Sequence, residues 1–325
     1  MLKKVILLFF FIINLSAFSQ EKDTVFADIQ TFKINQNLIY SFKKPTIGQL
    51  VKYVPDDLYQ FGKDLIKKEN LKWDALALGT TLATIPYDQK ILDDAGLLGE
   101  KIGGWDGPAR YKRVAGLELL PTSISSGVYY LGNGNTTLLL SGAFYLYGKI
   151  GKDDYRALNT SSELVETLIS VGIPIQIIKR VTGRQSPFAA IDAGIAGGDW
   201  NPFPSFSAYG SNTPNYDAMP SGHLATYMAT VTVISTNYPE YKWIKPVGYS
   251  LGTLLAYNMV STKVHWTSDY PIAILMGYFI GKNIANRRII KIDKSTGVLI
   301  PKKYKIDYNF SNSNKTNLFG ATITF

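Results

Sequence analysis

Between Asp56 and Asn286 the chain is a succession of apolar stretches with helix start and stop signals, several of them apolar nearly all round. A helix without a polar face must be buried, either among other helices or in lipid. That restricts the fold to a mainly α helical bundle. Pro55-Asp56-Asp57 marks one helix start, with Leu58, Phe61 and Leu65 on a common face. Thr160 and Glu163 stand in capping-box spacing ahead of the apolar stretch Leu164 to Ile178. Further helices are expected from Ser221 to before Pro239, from Pro246 to Val260, and from Ser268-Asp269 with Pro271 in the first turn. The charge-free stretches Leu224–Pro239 and Val247–Thr262 hold 16 residues each, against the roughly 20 needed to span a bilayer. Length thus favours a soluble exported helical domain over a membrane-embedded bundle.

The ends differ from this body. MLKKVILLFFFIINLSAFSQ pairs Lys3 and Lys4 with an apolar stretch and a small-x-small site before Gln20, so residues 1–20 are expected to be a secretory signal peptide. That predicts a periplasmic or membrane-associated mature protein. From Lys302 apolar Tyr304, Ile306, Tyr308 and Phe310 alternate with polar residues, and a Ser/Asn run leads to a second short strand. Period two on either side of a turn predicts a C-terminal β-hairpin. The expected organisation is a signal peptide at 1–20, an N-terminal helical extension at 21–110, a helical core at 111–290 and a hairpin tail at 291–325. Residues 187–220, rich in Gly, Pro and aromatics, read as a long irregular loop, either a lid over a site or a surface loop held by its own aromatics.

Composition then removes most chemistries. There is no cysteine and there are two histidines, His223 and His265. Thiol catalysis, disulfide scaffolds, iron–sulfur clusters and multi-histidine metal sites are therefore excluded. No metal and no cofactor are expected. The net charge is +9, but basic residues do not cluster with interleaved aromatics. The balance suits an anionic small molecule or a lipid headgroup surface, not nucleic acid.

Both histidines sit in chemically suggestive settings. Pro220-Ser221-Gly222-His223 stands at an expected helix N-terminus, where free N–H groups favour an anion such as phosphate. His265 precedes Asp269 by four residues. A carboxylate there can hold one ring nitrogen and leave the other free to attack. Upstream, Lys179, Arg180 and Arg184 end the helix that follows the capping box.

The order Lys…Pro, Pro-Ser-Gly-His and His-x-x-x-Asp resembles the type 2 phosphatidic acid phosphatase and vanadium haloperoxidase superfamily, over about residues 115 to 285. The resemblance implies a helical bundle and a metal-independent phosphatase acting on a phosphomonoester or a lipid (pyro)phosphate. It implies His265 as the nucleophile forming a phosphohistidine, Asp269 as its orienter and His223 as the acid. Lys179, Ser221 and Gly222 would bind phosphate. Two positions depart from the pattern: Ser186 and Met259 stand where the family has phosphate-clamping arginines. Arg184 and Lys263 are the candidate substitutes by proximity in sequence. The departures keep a second reading open, an impaired family member that binds an anionic or lipid-phosphate ligand. A vanadate-dependent haloperoxidase, which relies on the same arginines, ranks third.

Overall fold

In the computed structural model the described residues are 29–296, except 106, 108, 115, 116, 151 and 152, together with the backbone of 305–313 and 316–324. The expected signal peptide lies outside them. The chain divides into two compact units, Phe42–Ile289 and the segments on either side of it.

The larger unit is helical. Its helices are α1 (Val54–Asp64), α2 (Leu71–Thr84), α3 (Asp88–Ile102), α4 (Ile124–Tyr130), α5 (Gly134–Ile150), α6 (Tyr155–Thr182), α7 (Pro187–Ala193), α8 (Phe206–Ser211), α9 (Gly222–Asn237), α10 (Ile244–Ser261) and α11 (Tyr270–Arg288). Helices α6, α9 and α11 form its centre, with α5 against α6, α10 against α9, and α1 and α2 against α11. Two glycines set the tightest contact. A Cβ at Gly277 would lie 2.3 Å from the Ala225 carbonyl oxygen, and one at Gly281 2.7 Å from that of Ala229. Only a residue without a side chain lets α11 approach the α9 backbone that closely. Leu224, Ala225, Leu255, Met259, Trp266, Ile280 and Ile284 fill the interior. Among the described residues no helix is long and apolar enough to cross a membrane.

The helix starts at Ser221 and Ser268-Asp269 fall where the sequence put them, with Ser221 as the N-cap of α9 and Pro271 in the first turn of α11. The capping box does not. Helix α6 begins five residues before Thr160, with the Asp154 carboxylate accepting from Ala157 N at 2.9 Å. Thr160 and Glu163 are buried inside the helix, where both bond Asn237 of α9. Their polarity serves a tertiary contact, which local spacing cannot distinguish from a cap. Glu163 belongs to a larger buried cluster. Arg287 reaches Asp56, Asp57 and Glu166, Arg288 reaches Glu166, and Ser170 donates to Asp57 at 2.6 Å. The cluster ties α1, α6, α9 and α11 together.

Three other expectations need correction. The segment 21–110 is not wholly a helical extension: β1 (Ile29–Lys33) and β2 (Leu38–Lys43) precede its helices, and α1–α3 pack into the same compact unit as the helices beyond residue 110. A further hairpin, β3 (Tyr111–Val114) and β4 (Leu117–Pro121), appears where no strand was expected. The 187–220 stretch carries α7 and α8, and its middle and C-terminal end are fastened by backbone hydrogen bonds. Gln185 N donates to Asp199 O, Asn201 N to Gly183 O, Phe203 N to Arg180 O and Ala218 N to Arg184 O, all at 2.8–2.9 Å. Gly183, left-handed at φ 53°, makes this possible, since a Cβ there would sit 1.7 Å from the Asn201 carbonyl oxygen.

The smaller unit is β. Strand β2 pairs antiparallel with β5 (Ile290–Asp293), and β1 lies on the other side of β2. The C-terminal hairpin is present as β6 (Lys305–Ser313) and β7 (Thr316–Thr324), in continuous register from Lys305↔Thr324 to Ser313↔Thr316. In that register Ile306 pairs with Ile323 and Phe310 with Phe319.

Candidate active site

The N-terminus of α9 is built by Ser221. Its Oγ accepts from Leu224 N at 3.3 Å, and its own N–H donates to the Asp269 carbonyl at 3.1 Å. This second bond joins the first histidine motif to the second. Gly222 and His223 then line a cleft of about 250 Å³, together with Lys179 from the last turn of α6, Gln176, Ile175, Val171, Gly172, Thr226, Gly132 and Gly134. Lys179 Nζ lies 3.3 Å from the Asp217 carboxylate. A Cβ at Gly132 would come within 2.9 Å of the His223 Cβ, so this loop can run beside the histidine only as glycine.

His265 follows α10 in a short turn whose backbone N–H donates to Met259 O at 3.2 Å. Its ring centroid is 6.1 Å from that of His223. His265 Nδ1 lies 3.3 Å from Asp269 Oδ2, which also accepts from Trp266 N at 2.9 Å. With Nδ1–H donating to the carboxylate, Nε2 carries the lone pair. Burial pushes the His223 imidazole down to about 3, helped by His265 and then Lys179. His223 is therefore neutral around pH 7. Tyr129, whose ring centroid is 4.6 Å from His223, is pushed up to about 12 by burial and then by the Asp217 carboxylate.

The remaining expected residues are placed differently. Arg184 does not face the cleft. It is fully buried, with Nη1 on Asp269 Oδ1 at 2.7 Å and on Ser268 Oγ at 2.6 Å, and Nη2 on Asp88 Oδ2 at 2.6 Å. It stands behind the second histidine motif, so it cannot serve as a phosphate clamp without breaking two buried ion pairs. The Ser221 hydroxyl is likewise buried, occupied by the cap and 3.9 Å from Met259 Sδ. Only its backbone contributes to the terminus. Lys263 is exposed at φ 62° and is not among the cleft's lining residues. Of the two arginine-replaced positions, Met259 is packed in the core and Ser186 is buried with its N–H on Pro214 O. Asp88, Tyr129, Gly132, Ser268 and Asp217 were missed. Asp88 lies 180 positions before the Ser268 it holds, and nothing local marks it. Among the described residues no group of three or more His, Asp or Glu is arranged to hold a metal ion.

The cleft thus brings together His223, one cation and a helix N-terminus, while His265 is buried behind His223 and is not among the lining residues. Residues 162–288 match the family model of the PAP2 superfamily, a narrower stretch than the motif order suggested but one that contains all three motifs. A solved structure, the transmembrane PAP2 type phosphatidylglycerolphosphate phosphatase from Bacillus subtilis, is similar at 16% identity with a TM-score of 0.42, over 72% of this chain and 96% of that one. No curated protein matches the chain.

Proposed function

With residues 162–288 matching the PAP2 superfamily, we propose that this protein is an exported phosphatase that hydrolyses a phosphomonoester or a lipid (pyro)phosphate through a phosphohistidine at His265. The observation that carries the reading is the pairing of the chain's two histidines, 6.1 Å apart, with Asp269 behind one and the α9 terminus beside the other. His265 Nε2 attacks phosphorus, forming N–P as the bond to the leaving oxygen breaks, and His223 gives that oxygen its proton. Water then attacks phosphorus, His223 takes the water proton, and the N–P bond breaks to release phosphate. His223 is neutral around pH 7, so the proton it gives arrives with the substrate. A phosphate monoester monoanion brings both the proton and the negative charge that offsets Lys179. Lys179 and the N–H groups of Gly222 and His223 hold the phosphoryl oxygens.

One set of observations favours the binding-protein reading. Ser186 and Met259 provide no guanidinium, and Arg184 is committed elsewhere. Losing a clamp costs roughly 2–4 kcal/mol of transition-state stabilisation, about 10²- to 10³-fold in rate. Exposed apolar residues favour a lipid surface as the place of action: Leu71, Trp73, Leu76 and Leu82 on α2, and Leu138, Leu139, Leu146 and Ile150 on α5. The test is phosphate release by wild type and His265→Ala from a panel of soluble and lipid phosphates in EDTA. Turnover by wild type that His265→Ala abolishes is expected. Binding of phosphate without any turnover by wild type would select the second reading, and activity that needs a divalent cation would defeat the mechanism.

A further inference from the structure

We propose that Asp88, on α3 and outside the family-matched segment, is a positioning residue for His265 that acts through Arg184 by setting the net charge Asp269 presents to the imidazole. The kinetic part of this rests on His265 being the nucleophile; the electrostatic part does not. Asp88, Arg184 and Asp269 are each 0% exposed. Asp88 Oδ2 accepts from Arg184 Nη2 at 2.6 Å and from Ser268 Oγ, while Oδ1 accepts from Ser268 N at 3.0 Å. Arg184 Nη1 holds Asp269 Oδ1 at 2.7 Å, and the other Asp269 oxygen faces His265 Nδ1. Trp200 and Trp266 lie over the guanidinium, with ring centroids 4.7 and 5.3 Å away, and keep water from screening it.

The count of charges gives the arrangement its meaning. An Arg184–Asp269 pair alone is neutral and offers an imidazolium no counter-charge. A second carboxylate on the far side of the guanidinium leaves one net negative charge behind His265. When Nε2 bonds to phosphorus the ring becomes cationic, and that charge stabilises it. The other groups around the ring are His223 from α9 with Tyr129 against it, the Tyr270 ring at 6.4 Å, and Lys179 from α6 beyond His223 with its own carboxylate partner Asp217. Asp217 is paired with Lys179 and is the same in every variant compared.

The experiment exploits the histidine count. With two histidines, both ring signals in a histidine-labelled NMR spectrum are assigned by His223→Ala and His265→Ala. The His265 midpoint is then followed in wild type, Asp88→Asn, Arg184→Gln, the double variant Asp88→Asn/Arg184→Gln, and Ser268→Ala. The midpoint should be lowest in Asp88→Asn and highest in Arg184→Gln, on the order of one pH unit to either side. The double variant, which restores one net charge, should return towards wild type. Ser268→Ala perturbs the same network without changing charge and should leave the midpoint in place. Any two variants that fold and differ in charge test the order, so instability of one does not end the experiment. Midpoints that ignore the charge count, or a Ser268→Ala shift as large as that of Asp88→Asn, would overturn the proposal. In turnover, Asp88→Asn should lower kcat about tenfold with KM little changed, its acid limb moving to lower pH. Absence of turnover in wild type would defeat the phosphatase reading, while the order of midpoints still decides the role of Asp88.

Discussion

At the residue scale, the proposed reaction divides between the two histidines, and the division is measurable. His265→Ala removes the covalent step for every substrate, so activity should vanish on p-nitrophenyl phosphate and on an alkyl phosphate alike. His223→Ala should cost about 10²–10⁴-fold on the alkyl ester and far less on p-nitrophenyl phosphate, whose leaving group needs no proton. Equal losses on both esters would rule out His223 as the acid. These two residues and Asp269 were legible because their partners are near in sequence or belong to a recognised motif. Arg184 was misplaced for the opposite reason. A guanidinium two residues from a vacant clamp position looks available until its partner Asp88, 96 positions away, is seen. Ser221 was half legible, since its cap follows from position but the burial of its hydroxyl against Met259 does not.

At the element scale, helices were found wherever apolar period, cap and proline agreed, as at α9 and α11. Helix α6 was entered too late because Thr160 and Glu163 satisfy a local rule while serving a distant Asn237. The glycines of α11 carried no signal either, because their purpose lies on the facing helix. Gly277→Ala should therefore be costly although alanine is the better helix former. Its methyl would meet the Ala225 carbonyl at 2.3 Å, and the helices must part. A loss of about 1–3 kcal/mol in urea unfolding is expected. Gly79→Ala, at a helical position with nothing within 4 Å, should be neutral or slightly stabilising by the same measurement. Similar behaviour of the two variants would mean that the α9–α11 contact is looser than described.

At the scale of the whole molecule, the helical class and the C-terminal hairpin were legible, whereas β1, β2 and the β3–β4 hairpin were not. Short strands without clear alternation gain their identity from pairing, and the partner of β2 is about 250 positions away. The buried cluster that ties four helices together was equally invisible, and it should govern stability against pH. Burial pushes Glu163 up to about 7 and raises both Glu166 and Asp57, against the opposing pull of Arg287 and Arg288. Below the ordinary glutamate value of 4.5, folded and unfolded chains both hold these protons. Above it the unfolded chain releases them first, so stability falls as pH rises towards the folded values. Glu166→Gln removes that dependence. The variant's stability relative to wild type should improve from pH 5 to pH 8, with a slope approaching about 1.4 kcal/mol per pH unit in urea titrations. His223 works in the other direction, since its folded value near 3 destabilises the fold as pH drops below 6.5. A pH-independent difference between Glu166→Gln and wild type would show that the cluster is fully ionised.

The stitching of residues 187–220 has a consequence for traffic through the site. A gate needs free hinges, and the middle and far end of this segment, at residues 199–203 and at Ala218, are sewn to the backbone of Arg180–Gln185, the stretch that also leads from Lys179 to Arg184. Pulling the segment away would drag Lys179 and the guanidinium behind Asp269 out of place. Entry is therefore a matter of aperture and not of motion. Gly132, Gly134, Gly172 and Gly222 line the cleft, and the width four residues without side chains leave would, in the proposed reaction, set which ester enters.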